Sequence, residues 1–172
     1  MGEPQPILIV VMGVSGCGKS TVGHQLAEIY KAVFLDADDF HSAANIAKMS
    51  AGTPLTDHDR IDWIEAMRAG VCQQRSDVVI LACSALTASV QKGLACLPRR
   101  LIYVHLNTEN VDMQARLKRR DHFMPASLLD SQYEALTIPE AAHDFDANLP
   151  LPELLASIAE TLSASLPLPE FH

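Results

Sequence analysis

The chain has 172 residues, of which 48% are hydrophobic and 20% are charged, and 13 basic against 21 acidic side chains give a formal charge of −8. These values are typical of a folded soluble protein and argue against disordered, collagenous and disulfide-scaffold classes. The acidic balance argues against nucleic-acid or anionic-membrane partners. Every Lys and Arg lies in residues 1–120, which also hold 12 of the acidic groups, so we expect an anionic ligand to bind there.

Short apolar runs alternate with segments of helical spacing along the chain. The runs predict buried parallel strands over residues 7–12, 33–35, 78–82 and 101–104, with a further short strand near 143–146. The spacing predicts helices over 19–31, 42–50, 60–75, 87–97, 109–120, 125–136 and 151–162. This alternation predicts an α/β fold with a parallel sheet, in which ligands bind at the carboxyl ends of the strands.

A glycine-rich loop joins the first strand to the first helix. It reads Gly-Val-Ser-Gly-Cys-Gly-Lys-Ser over residues 13–20 and fits the phosphate-loop pattern G-x-x-x-x-G-K-[ST] in its required context. Such a loop surrounds phosphates with backbone N–H groups, while Lys19 contacts the β- and γ-phosphates and the Ser20 hydroxyl ligates Mg²⁺. The predicted ATP-binding residues are Gly13, Val14, Ser15, Gly16, Cys17, Gly18, Lys19, Ser20 and Thr21.

Three carboxylates, Asp36, Asp38 and Asp39, follow the second strand. Phosphoryl transfer to an alcohol needs carboxylates for the metal and for the hydroxyl proton. Because residues two apart on an extended segment point the same way, we expect Asp36 and Asp38 to face the phosphate loop and Asp39 to point elsewhere. The alternative is a helix N-cap or a solvated acidic turn.

Longer stretches of the chain resemble the gluconate kinases and occur in the same order as in that family. The gluconate kinases are related in fold to shikimate kinase. The matching stretches cover most of residues 7–139 and comprise 11–23, 36–41, 52–60, 82–86, 122–124 and 128–132, with Asn45, Lys48, Met49 and Trp63. The resemblance implies a three-layer P-loop kinase fold in one domain over 1–172, with a mobile lid at about 118–138. It also implies a homodimer and a role in carbohydrate metabolism.

The implied reaction is transfer of the ATP γ-phosphate to the 6-hydroxyl of D-gluconate, giving 6-phosphogluconate and ADP. By the same resemblance, Lys19 is catalytic, Asp36 joins Ser20 on the Mg²⁺ side, and Asp38 is the hydroxyl partner. The roles of Asp36 and Asp38 could be exchanged.

Further polar side chains suit a substrate with one carboxylate and several hydroxyls. Arg60 offers a planar donor fork for a carboxylate, and His41, Asn45 and Lys48 offer single donors. Ser84, in a matching stretch, completes the predicted substrate-binding set. The alternative is solvation, or for Arg60 an ion pair with a neighbouring aspartate.

The densest basic cluster spans residues 116–120, at the end of a predicted helix. Arg116 and Arg120 lie four residues apart on one face, so they could clamp ATP phosphates, with Arg120 stabilising the transition state. Related kinases use arginines in this way. The alternative is a solvated cationic helix end.

The chain departs from the family pattern at Thr87, Val90 and Gln91, where Lys, Tyr and Arg are usual. Two alternatives therefore stay open: a kinase for another small hydroxy acid such as shikimate, and a catalytically weak nucleotide-binding regulatory module. The four cysteines lack the spacing of a zinc site, and no apolar run approaches the ~20 residues of a membrane span. We therefore expect reduced thiols and a cytoplasmic protein.

Overall fold

The computed structural model describes residues 5–108 and 126–166, and a parallel sheet lies at their centre. Its strands are β1 (Ile7–Met12), β2 (Val33–Asp36), β3 (Val78–Ala82), β4 (Arg100–Asn107) and β5 (His143–Asp146), in the order β2-β3-β1-β4-β5. The helices of this part of the chain are α1 (Lys19–Tyr30), α2 (Ala43–Ser50), α3 (Asp57–Cys72), α4 (Ala88–Ala95), α5 (Leu129–Ala135) and α6 (Leu151–Leu162). The predicted strands and the α/β class are confirmed.

Two hydrophobic layers cover the faces of the sheet. Because successive strand residues point to opposite faces, Leu8 and Val10 pack toward α3 and α4, whereas Ile9 and Val11 pack toward α1 and α6. Helices therefore lie on both faces, as the three-layer fold requires. The carboxyl ends of β1, β2 and β3 are left to form a cleft.

Some predicted element boundaries were wrong. Helix α3 begins at Asp57 rather than at residue 60, because the Thr56 hydroxyl accepts a bond from the Asp59 N–H while the Asp59 carboxylate accepts one from the Thr56 N–H. The predicted helix over 125–136 is a short 3-10 turn (Ala126–Leu128) followed by α5. The predicted helix over 109–120 lies outside the described residues. Across 5–108 and 126–166, every helix is too short or too polar to cross a membrane.

Candidate active site

The phosphate loop is held against β4 by close backbone packing. Gly13 has a φ of 146°, and a Cβ at this position would lie 2.8 Å from both the Cys17 sulfur and the Leu106 carbonyl oxygen. Cys17 is buried, so it fills space under the loop. Helix α1 starts directly after Gly18, and its first turn lines the cleft, which directs the helix's N-terminal N–H groups toward any bound phosphate.

Lys19, Ser20 and Asp36 meet at one side of this loop. The Lys19 Nζ donates to the Val14 carbonyl at 3.0 Å, and the Ser20 hydroxyl donates to Asp36 Oδ2 at 2.6 Å. The same carboxylate accepts the Asp38 N–H through Oδ1 at 3.0 Å. Asp36 therefore caps the next turn and also contacts the phosphate loop. The cleft-facing and N-cap interpretations of this residue are thus compatible.

The donor set of Ser20 and Asp36 fits Mg²⁺. The cation prefers oxygen ligands and commonly combines one or two carboxylates with substrate phosphates and water. Within the described ranges, no group of three or more His, Cys, Asp or Glu side chains could hold a metal by itself. Phosphate oxygens and water would complete such a site.

Asp38 sits on a 3-10 turn (Ala37–Phe40), so the prediction of an extended segment was wrong. The turn still brings Asp38 into the cleft with Asp36, while Asp39 is exposed and does not line it, as expected. The indole N–H of Trp63 in α3 donates to the Ala37 carbonyl at 2.7 Å. This bond fixes the turn that carries Asp38.

His41 lines the cleft beside this turn. Its ring stacks on Trp63 with centroids 4.5 Å apart, and its Nε2 lies 4.0 Å from Asp38 Oδ1. The buried Nδ1 has no hydrogen-bond partner among the described residues. Burial, with a smaller contribution from the Arg60 charge, lowers the pKa of His41 to about 4. The imidazole is therefore neutral near pH 7.

This pKa predicts a pH dependence of stability. Between pH 4 and 6.5 the unfolded chain binds a proton at His41 that the folded chain does not, so the free energy of unfolding should rise with pH across this window. His41→Phe keeps the stacking on Trp63 and cannot titrate. Urea unfolding should therefore show a shallower pH slope for the variant, by at most about 1.4 kcal/mol per pH unit. Equal slopes would contradict the assignment.

Arg60 lines the cleft, and a chain of hydrogen bonds through Asp57 and Ser89 orients its side chain. Its guanidinium donates to Asp57 Oδ1 at 2.9 Å, and the Ser89 hydroxyl donates to the same oxygen at 2.9 Å. The hydroxyls of Ser89 and Thr87 lie 2.9 Å apart. The ion-pair alternative for Arg60 is thus realised, and it leaves Arg60 in the cleft wall.

Asn45 and Lys48 do not line the cleft. The Asn45 amide donates to the Asp59 carbonyl at 2.8 Å, and the Lys48 ammonium contacts the Asp59 carboxylate at 2.5 Å. The hydrogen bonds from Lys48 and Thr56 hold the pKa of Asp59 well below its usual range. Both predicted substrate residues therefore anchor the start of α3, which carries Arg60.

Most of the other predicted residues line the cleft, and two lie outside the described residues. The phosphate-loop residues that line the cleft are Ser15, Gly16, Gly18, Lys19, Ser20 and Thr21. The predicted metal ligand Asp36 lines it too, as do the predicted substrate residues Asp38, His41, Arg60 and Ser84. Arg116 and Arg120 lie outside the described residues, as do residues 118–125 at the start of the predicted lid. Those two assignments stay predictions.

Sequence reasoning missed a glutamine at the mouth of the phosphate loop. The side-chain oxygen of Gln132 in α5 accepts the Ser15 N–H at 2.7 Å, and its amide nitrogen donates to the Ser15 hydroxyl at 3.0 Å. Leu128, just before α5, packs with Met49 and Leu55 into an apolar wall of the same cleft. The available signal was the resemblance over residues 128–132, which gave no role to Gln132.

Known proteins resemble this chain over most of its length. A family model described as an AAA domain matches residues 8–139. The thermosensitive gluconokinase of Escherichia coli is 34% identical over 154 residues, covering 88% of this chain and 82% of that protein. A gluconokinase structure from Sinorhizobium meliloti is 38% identical, with a TM-score of 0.77 over 94% of this chain and 98% of the other. Shikimate kinase of Aquifex aeolicus shares the fold, with a TM-score of 0.59 at 18% identity over 91% of this chain and 96% of the other.

Proposed function

The chain belongs to the gluconokinase family, and we propose from this membership and the cleft that it is an ATP-dependent kinase of D-gluconate. It transfers the γ-phosphate to the 6-hydroxyl and releases 6-phosphogluconate and ADP. The observation that carries the proposal is the meeting of Ser20, Asp36 and Asp38 beside the phosphate loop, in one cleft with Arg60. Phosphate-binding, metal-binding and hydroxyl-activating groups thus share one site.

The phosphate loop and α1 bind and orient the nucleotide. Backbone N–H groups of the loop and the N-terminus of α1 hold the phosphates, and Lys19 exchanges the Val14 carbonyl for the β- and γ-phosphate oxygens. Ser20 and Asp36 would hold Mg²⁺, which neutralises phosphate charge when bound. Arg116 and Arg120 remain proposed ATP ligands on the sequence pattern alone.

Asp38 activates the acceptor. Its carboxylate orients the 6-hydroxyl and accepts its proton while the hydroxyl oxygen forms a bond to the γ-phosphorus and the bond to the β-γ bridging oxygen breaks. The short contact between Ser20 and Asp36 favours Asp36 as the metal-side carboxylate, which leaves Asp38 for the hydroxyl. ADP leaves with the bridging oxygen.

The acceptor half of the cleft, which is lined by His41, Arg60 and Ser84, suits the sugar acid. Arg60, held by Asp57, presents its guanidinium toward the substrate carboxylate, and neutral His41 and Ser84 offer hydrogen bonds to hydroxyls. Asn45 and Lys48 act on the substrate through the start of α3. Family membership further supports our proposals of a homodimer and a cytoplasmic location.

The test is product identification after incubation with ATP, Mg²⁺ and a panel of sugar acids that includes gluconate and shikimate. We expect 6-phosphogluconate and stoichiometric ADP, and no product without Mg²⁺. Turnover of another acid with none of gluconate would refute the acceptor assignment. ATP binding with no turnover of any acid would instead favour a regulatory module.

A further inference from the structure

One glutamine joins two segments of the cleft that are distant in the sequence. The side-chain amide of Gln91 in α4 donates to the Ala85 carbonyl at 2.9 Å and to the Thr137 carbonyl at 2.6 Å. Ala85 belongs to the loop after β3, and Thr137 follows α5. A primary amide has two N–H donors, so both can be used in these bonds.

Thr137 is fixed through both of its backbone polar groups. Its N–H donates to the Leu86 carbonyl at 2.8 Å, while its own carbonyl accepts from Gln91. The segment after α5 is thereby fastened to the loop after β3. That loop supplies Ser84, Leu86 and Thr87 to the wall of the cleft.

Ala85 has an unusual backbone conformation at the centre of this loop. Its φ of 47° lies in the left-handed region, which a residue with a Cβ rarely adopts, and the residue is fully buried. A buried carbonyl in a strained position needs a hydrogen-bond donor. Gln91 supplies that donor and so stabilises the conformation that places Ser84 and Leu86 in the cleft.

Helix α5 connects this anchor to the phosphate loop. Gln132, near the middle of α5, binds both the N–H and the hydroxyl of Ser15, and Thr137 lies just beyond the end of α5 at the Gln91 anchor. The segment from α5 to Thr137 is therefore bound at one point to the nucleotide side of the cleft and at another to the acceptor side. Gln91 itself does not line the cleft.

We propose that Gln91 is a positioning residue for the acceptor half of the cleft, acting through Ala85 and Thr137. The gluconate part of this inference rests on the proposed function. Loss of the two bonds lets the loop after β3 leave its left-handed conformation and frees the segment after α5. The affinity for the sugar acid should then fall, whereas ATP, held mainly by the phosphate loop, should bind nearly as before.

The test compares Gln91→Met, which keeps side-chain length and removes both donors, with Gln91→Arg, which restores donors to both carbonyls. Gluconate affinity can be measured without turnover from the fluorescence of Trp63, the single tryptophan of the chain, which lines the cleft. We expect Gln91→Met to weaken gluconate binding and raise its KM by about tenfold, with the KM for ATP nearly unchanged. Gln91→Arg should recover most of the affinity.

A second substitution tests the route through Ala85. Glycine adopts the left-handed region without strain, so adding Ala85→Gly to Gln91→Met should recover part of the lost gluconate affinity. The same change in the wild-type chain should have little effect. Absence of recovery, or an equal loss of ATP and gluconate affinity in Gln91→Met, would overturn the proposal.

Amide hydrogen exchange separates this inference from the proposed function, because it needs no substrate. The Thr137 N–H, which donates to Leu86, should exchange at least several-fold faster in Gln91→Met. Gln74→Met is the matched control, since Gln74 also donates to a backbone carbonyl, that of Gly70, at the other end of the sheet. Unchanged exchange at Thr137 overturns the anchor whatever the ligand, whereas a wild-type chain that does not bind gluconate counts against the proposed function.

Discussion

Asp38→Asn should lower kcat for gluconate phosphorylation by about 10²–10⁴-fold while leaving ATP binding nearly intact. The amide keeps the size of the carboxylate but cannot accept the hydroxyl proton. The backbone of the turn that carries Asp38 should be undisturbed by the substitution. The turn is held by the Asp38 N–H bond to Asp36 and by the Trp63 bond to Ala37, and neither bond uses the Asp38 side chain. Steady-state kinetics and a nucleotide-binding titration measure the two effects separately.

Asp39→Asn is the matched control, since Asp39 lies on the same turn, is exposed and does not line the cleft. It should leave kcat nearly unchanged. Asp36→Asn should differ from both and raise the Mg²⁺ concentration needed for turnover, because Asp36 is the partner of Ser20. If Asp36→Asn instead preserved the Mg²⁺ dependence and Asp38→Asn shifted it, the two roles would have to be exchanged.

Lys19→Met should lower kcat by about 10²–10³-fold and also weaken ATP binding. Methionine has a similar unbranched shape but no charge, so the cation that contacts the β- and γ-phosphates is lost. The Lys19 bond to the Val14 carbonyl is also lost, but the Gly13 packing against Cys17 and Leu106 does not depend on it. Thermal unfolding should therefore change little, which separates a loss of charge from a loss of structure.

Arg75→Ala provides the control for removal of one positive charge. Arg75 is exposed and precedes β3, so it lies at the end of the sheet opposite the cleft. Its substitution should leave kcat and the KM for ATP nearly unchanged. Full activity of Lys19→Met would refute the assignment of the phosphate loop, whereas equal losses in both variants would indicate a general electrostatic effect.

Local patterns were sufficient for the parts of the molecule that depend on neighbouring residues. The apolar runs predicted the strands because a buried parallel strand is apolar on both faces. The phosphate loop was predictable because its chemistry lies within eight consecutive residues. Asp36 and Asp38 were found because the end of β2 and the end of β1 meet at the same edge of the sheet, although the backbone between the aspartates is a turn and not a strand.

The sequence by itself therefore determined the fold class, the nucleotide site and the carboxylates beside it. Only the tertiary structure decided which polar residues reach the cleft: Lys48 binds Asp59 instead, and Gln132 reaches Ser15 from more than a hundred residues away. The same holds for Gln91, whose two carbonyl partners come from separate segments. The physical reason is that these partners are selected by the packing of α3, α4 and α5 around the sheet, and no local periodicity records that packing.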